Sequence, residues 1–394
     1  MTSASSQPAI ALSLYALSDD PYPILARLRE ETPVCWLEEA RVWLVTRRRD
    51  VLAVLRDTET FTTDDPLSTI QRVFGRQMLS TEGDEQKRYK AACIHAFAKR
   101  PVQENLAGAV RGKATRLLQA IRWRGETDLR RSFTGKLSVF STGFVLGIPE
   151  ELHESVLEWY DSFAAAIASF GTNPAARAEG LVAADEFRRA MRPLLALAER
   201  APGAGLLSTL VHAADRLGDD EILANALIIL FGGIETTDAM ISNALWALLT
   251  HPEQLALVRS EPDLLAPAIE ESLRWEPAVQ TCTRFTTREV DVAGVTIPAG
   301  ASVQCMLGGA NRDPEHFADP DRFDVRRANA SDHLAFGIGR HLCLGSHLAR
   351  LETQVALELL LGLPRLRLDP DHPTRPTGYE FRKPATLRVR WDER

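Results

Sequence analysis

The segment from Asp219 to Thr250 sets the hardest condition on how this chain can fold. Ile222, Leu223, Ala226, Leu227, Ile228, Ile229, Leu230 and Phe231 make it apolar on nearly every side. A helix of that kind is either buried all round or spans a membrane. Asn225, Glu235, Asp238 and Asn243 interrupt it, and ionisable groups at mid-span are strongly unfavourable in a bilayer. The expectation is therefore a central core helix and no membrane span, with Gly232-Gly233 in its middle. The rest of the chain must wrap this helix, and 394 residues of 45% hydrophobic composition suffice for a substantial core.

The wrapping is expected to be helical. Apolar spacing predicts helices over Glu85–Ala98, Val102–Arg122, Asp128–Leu146, Glu151–Phe170, Pro174–Ala198 and Pro262–Trp275, and a shorter one over Asp50–Arg56 with Asp50 as its N-cap. Strand patterns are confined to Val34–Thr46, turning near Glu39-Ala40, to Thr281–Gln304, and to Thr386–Trp391 near the end. The fold class is thus mainly α with small β-sheets (α+β). No repeat or linker composition appears, so residues 1–10 read as a disordered tail and 11–394 as a single domain. Between Phe61 and Gly83 no periodicity is sustained, and so long a loop is either a cover over a substrate or a solvated connector.

Charge and cysteine usage narrow the class. A net charge of −7 gives no bulk attraction for nucleic acid. The five cysteines are scattered without a C-x-x-C pair, which argues against a disulfide framework or zinc ribbon and for a reducing compartment. With no signal-like N-terminus, a cytoplasmic location is expected.

One cysteine stands apart. Phe336-Gly337-Ile338-Gly339-Arg340-His341-Leu342-Cys343-Leu344-Gly345 places Cys343 where a loop runs into the helical pattern of Leu344, Leu348, Leu351, Val355 and Leu359. Free backbone N–H groups at such a junction stabilise a thiolate, the form that ligates metals. Gly337, Gly339 and Gly345 are expected to allow positive φ and close approach to a flat partner. Alone, a free cysteine is a small core hydrophobe, but this spacing favours a ligand. Glu271 and Arg274 form a second motif, three apart on one helix face, where an ordinary pair contributes only about 0.2–0.5 kcal/mol.

Taken in order, Gly232-Gly233-Ile234-Glu235-Thr236-Thr237, Glu271-Ser272-Leu273-Arg274 and the Cys343 loop resemble the cytochrome P-450 superfamily in its soluble bacterial form, from about Pro21 to Trp391. The pattern F-G-x-G-x-H-x-C-x-G is met by Phe336, Gly337, Gly339, His341, Cys343 and Gly345. The resemblance implies a single domain, a triangular helical body around a long central helix. It implies heme b (iron protoporphyrin IX) with the Cys343 thiolate as axial ligand, a donor that favours O–O cleavage. Phe336, Gly337 and Gly345 would shape the cofactor loop, and Arg284 and His341 would meet the propionates. Thr236, bonding back to the Gly232 carbonyl, and Glu235 would relay protons. Glu271, Arg274 and Arg322 would form a buried structural network. At two positions where relatives carry a propionate-binding histidine and arginine, this chain has Gln86 and Lys90, and Glu235 stands where many carry Asp.

The same resemblance implies an oxidoreductase, a monooxygenase of the kind found in secondary metabolism, acting on a small, largely apolar molecule. Its pocket would draw on the Phe61–Gly83 loop, on Phe163, Ile167 and Phe170, on Ile229, Leu230 and Gly233, on Val279 within Ala278–Thr283, and on Tyr379-Glu380-Phe381. Electrons would come from a separate ferredoxin and ferredoxin reductase, with Arg340, Arg350, Lys87 and Arg88 forming either a docking patch or a solvated basic face. The alternatives are a haem-thiolate peroxygenase using hydrogen peroxide and a non-catalytic haem sensor or carrier.

Overall fold

The structure is a computed structural model that describes residues 12–66, 68–168, 173–203, 205–213 and 215–392. The expected tail over residues 1–10, and Phe170, lie outside the described residues. In chain order, the elements that position the functional residues are strands β1 (Val34–Leu37), β2 (Val42–Val45) and β3 (Phe61–Thr62), helices α1 (Gly83–Phe97), α2 (Gly135–Leu146), α3 (Asp219–Thr250) and α4 (Leu265–Trp275), strands β4 (Thr281–Thr286) and β5 (Ser302–Met306), and helix α5 (Ser346–Leu360). The mainly helical class with small sheets is what the chain forms. It divides into two compact units.

One unit, Asp64–Thr250 with Leu344–Thr374 and the residues from Thr386 on, is helical and built on α3. This helix has the length and apolarity of a membrane span, yet 83% of its most apolar window is buried inside the protein. α2 and α5 pack against it. Its polar interruptions are matched internally: Asn225 accepts from the Met78 N–H at 3.0 Å, and Asp238 accepts from Arg130 at 2.7 Å. Asp219, Asp220 and Glu221 occupy its first turn, where the helix dipole favours negative charge. Within α5, Glu352 is buried, one carboxyl oxygen has no partner among the described residues, and burial pushes the carboxyl well above the usual range against a hydrogen bond from Ser141.

The other unit comprises the residues up to Thr63, His251–Cys343 and Arg375–Ala385. Its five-stranded sheet has the order β1-β2-β5-β4-β3, with β2 and β5 parallel and the other pairs antiparallel. Val34, Trp43, Val45, Val51, Leu55 and Val303 pack into one apolar cluster. The helix expected from Asp50 begins at Arg48, so Asp50 lies in its first turn and caps nothing. The Arg48 N–H at that end is met by Asp313 at 2.8 Å, a cap from far along the chain. The Phe61–Gly83 stretch is not structureless: it holds β3 and a six-residue helix, Thr69–Phe74.

The meander after β5 is anchored by a buried charge network on α4. Arg274 and Glu271 side chains are fully buried and paired at 2.7 Å, and Arg274 also donates to the carbonyls of Asn311, Pro320 and Arg322. The third arginine is Arg327, whose Nε donates to Glu271 at 3.1 Å. Arg322, expected in that place, turns its backbone carbonyl inward instead, leaving a side chain that is 65% exposed beside Asp324. The backbone path of the meander decides which arginine reaches Glu271, and motif spacing does not encode that path.

Removing one member of a buried ion network leaves the others uncompensated. Arg327→Ala is expected to lose about 3–5 kcal/mol of unfolding free energy in urea, and Arg322→Ala less than about 0.5 kcal/mol. Glu352 has its folded-state pKa raised, so the folded state retains a proton that the unfolded chain releases above the ordinary glutamate range. Its destabilising effect therefore grows as pH rises through that range. Glu352→Gln should show a stability advantage over the wild-type chain in urea melts that is larger at pH 8 than at pH 5.

Candidate active site

The sheet-bearing unit presents Cys343 on a tightly folded loop. Gly337 and Gly339 adopt φ of +66° and +65°, where a side chain would be strained. The loop is closed by the Cys343 N–H donating to the Phe336 carbonyl at 2.9 Å and by the Leu342 N–H donating to the Gly339 carbonyl at 3.1 Å. Cys343 is exposed, unlike the buried Cys35, Cys93 and Cys305. His341 sits in the short helical turn before it, its Nε2 3.5 Å from the Thr63 hydroxyl. The Phe336 ring lies against His333, which is held by Glu270 at 3.2 Å. Gly345 does not share the positive φ of the other two: its φ is −82° and open space surrounds it.

Arg284 lies on β4 in the same unit and is only 4% exposed. It donates to the Thr283 carbonyl at 2.7 Å, while its Nε has no partner among the described residues. A buried guanidinium without a carboxylate requires an anion from elsewhere. Two residues away, Cys282 reports what surrounds this strand. Burial pushes its thiol up, Arg284 opposes that, and Glu380 and Cys343 add to it, so all three lie within electrostatic reach of one sulfur. Val279 and Phe381 form an isolated bridge, both half-buried.

The helical unit carries the acid and alcohol on α3. Thr236 donates its hydroxyl proton to the Gly232 carbonyl at 2.6 Å, and Glu235 is buried. From Ile228 to Thr237 only Ile229, Gly232, Gly233 and Thr236 are not buried, a spacing of three, four and seven that defines one open stripe on an otherwise buried helix. Leu230, expected in a pocket, is fully buried core, and the accessible side chain is its neighbour Ile229. Gly233 has a different role from the one expected. A Cβ there would lie 2.4 Å from the Thr142 hydroxyl on α2, so this glycine lets two helices approach. Gly232 faces open space. On α1, Gln86 is buried and Lys90 half-buried one turn on, while Lys87 pairs with Asp84 and Arg88 with Glu221. Those last two cations are thus partly neutralised at the surface.

Comparison with known proteins agrees with this arrangement. The family model described as Cytochrome P450 matches residues 205–383. The chain is 37% identical to the cytochrome P450 monooxygenase PikC of Streptomyces venezuelae, over 89% of this chain and 85% of that protein. It is 36% identical to the mycinamicin IV hydroxylase/epoxidase of Micromonospora griseorubida, over 90% of each. The crystal structure of P450BioI, in complex with an acyl carrier protein ligated to hexadec-9Z-enoic acid, superposes with a TM-score of 0.89 at 32% identity, covering 96% of this chain and all of that one. The chain belongs to the cytochrome P450 family. It is an oxidoreductase of the monooxygenase type, and the family implies a haem held by a cysteine thiolate. The donors present fit such a group: an exposed thiol on a rigid loop, and a buried arginine with an unmatched N–H on the same unit.

The two glycines of α3 predict opposite responses. Gly233→Ala should lose about 1–3 kcal/mol in chemical denaturation through overpacking, part of which Thr142→Ala restores. Gly232→Ala has room for its methyl group and should gain about 0.5–1 kcal/mol from helix propensity.

Proposed function

We propose that this single domain over residues 11–394 is a haem-thiolate monooxygenase. It would insert one atom of dioxygen into a C–H or C=C bond of a small, largely apolar organic molecule and reduce the other atom to water with two electrons and two protons. The electrons are assigned to a separate ferredoxin and its reductase. The observation that carries this reading is the pairing, on one unit, of the exposed Cys343 thiol with the buried, anion-seeking Arg284.

Cys343 would ligate the iron, and Arg284 and His341 would hold the propionates. Gln86 and Lys90 would contribute a neutral donor and a single point charge, a weaker grip than a histidine and a forked arginine provide. Phe336 and the positive-φ glycines would fix the direction of the sulfur. When bound, the haem supplies the activation of dioxygen and the transfer of its oxygen atom. Thr236 commits its proton to the Gly232 carbonyl, which leaves its oxygen lone pairs to accept a hydrogen bond from water. Glu235, one residue earlier on the same helix, would resupply protons to that water. Ile229 and Gly232, on the open stripe, would bound the space for substrate.

Three measurements check the reading. The reduced protein with carbon monoxide should show the strongly red-shifted Soret band of thiolate ligation, and Cys343→His should move it to a histidine-like position. A histidine-like band in the wild-type protein would remove the assignment. Thr236→Ala is expected to lower product formed with reductant and dioxygen by about 100-fold, the scale of a lost proton donor, while turnover with hydrogen peroxide persists. Equal loss on both routes would point away from proton delivery, and wild-type turnover with peroxide alone would establish the peroxygenase alternative.

A further inference from the structure

The helical unit holds a surface cavity apart from the open stripe of α3. Its volume is about 490 Å³, and it lies between the helix Ala107–Ile121, α2 and the start of the helix His153–Ala168. Phe140 and Phe144 form its apolar side, their rings stacked with centroids 5.7 Å apart. Phe140 is buried, whereas Phe144 is 43% exposed, so that its ring still has apolar surface to cover. Thr142, which meets Gly233, is two residues from each of them and projects from the opposite side of α2. The cavity is thus on the far side of α2 from its contact with α3.

The facing wall is made of glycine. Gly108 and Gly112 stand one turn apart and both line the cavity, at helix positions where glycine is less stabilising than alanine. A Cβ at Gly108 would meet nothing within 4 Å, and one at Gly112 would meet only the Arg116 guanidinium, at 3.7 Å. Contact with the rest of the chain therefore requires neither glycine, and their missing side chains are what keep the space open. The same distance places the Arg116 guanidinium over Gly112, at the cavity wall.

The charges around the cavity do not cancel. Glu150, its lining carboxylate, accepts from Lys113 at 2.7 Å, and that ammonium also lies 4.9 Å from the Phe140 ring centroid. His153 stands edge-on to Phe140, and burial pushes its pKa below the ordinary value, which keeps the ring neutral at neutral pH. Arg116 makes neither a hydrogen bond nor an ion pair among the described residues. The lining thus offers two aromatic rings, a wall without side chains and one uncommitted guanidinium, the group best shaped to take a carboxylate through two parallel hydrogen bonds.

We propose that this cavity is a binding site for an aromatic carboxylate, with the ring between Phe144 and the Gly108–Gly112 wall and the carboxylate on Arg116. Pockets of about 300–1,000 Å³ hold ligands of that size. A neutral analogue would keep the ring contacts and lose the ion pair, and a cation would be repelled by Arg116. The site does not depend on the haem-thiolate reading.

The test uses the haem-loaded protein and the photoreactive 4-benzoylbenzoate, with (4-benzoylbenzyl)trimethylammonium as its cationic counterpart. Irradiated samples are digested with pepsin and the labelled residues are located by mass spectrometry. The anion should label residues within 108–116 and 140–153, at least about tenfold more than the cation at equal concentration. Arg116→Gln should reduce that labelling about tenfold, and Gly108→Leu, which fills the cavity, should abolish it. Thermal melts and the carbon monoxide band, recorded on the same samples, establish that the variants keep their fold and cofactor. Labelling confined to other residues, equal labelling by anion and cation, or undiminished labelling in Arg116→Gln would each overturn the proposal.

Discussion

Charge taken out of water without a counter-charge costs several kcal/mol, and the sheet-bearing unit of this protein is arranged around that penalty. Glu271 is met by Arg274 and Arg327, and Glu276 by Arg382 and the Tyr22 hydroxyl. These networks tie α4 to the meander, and the segment around Arg382 to the start of the chain. Arg284, buried on β4, keeps an unmatched N–H and, together with Cys343, acts on the Cys282 thiol. Arg284 is thus open to an anion that the chain does not itself supply.

The helical unit solves a different problem with glycine. α3 is buried on nearly every face, so contact with a ligand must come through an opening in it. Gly232 provides that opening and Gly233 lets α2 pack close on an adjacent face. The Thr236 hydroxyl bonds back to the Gly232 carbonyl, satisfying a group that such an opening would otherwise disturb. The loop of Cys343 uses glycine for its other property, positive φ, at Gly337 and Gly339. Residues of one type thus serve space in one unit and backbone direction in the other.

Much of this could be read in advance. Long elements with strong periodicity form near their expected bounds, α3 from Asp219 to Thr250 among them. The boundaries that moved did so through distant contacts: Asp313 caps the helix assigned to Asp50, and a short helix forms in the Phe61–Gly83 stretch. At the candidate site, motif positions identified which residue types to examine but not which way they face. Arg322 and Arg327 lie five apart in one irregular segment and differ only in which of them turns its side chain inward. Leu230 and Ile229 are adjacent on a helix that is apolar on every side, so periodicity had no contrast with which to separate core from opening.

By itself, the sequence determined the class: a long helix that must be buried, a cysteine in a glycine-rich loop, and an acid and alcohol side by side on that helix. These are local properties, set by spacing and by the chemistry of single residues. Only the tertiary structure decided which arginine completes the Glu271 network, which glycine is open and which is packed, and which charges are left without partners. Those outcomes depend on groups far apart in the chain meeting or missing one another in space, and burial acts on whatever the fold brings together, not on sequence neighbours.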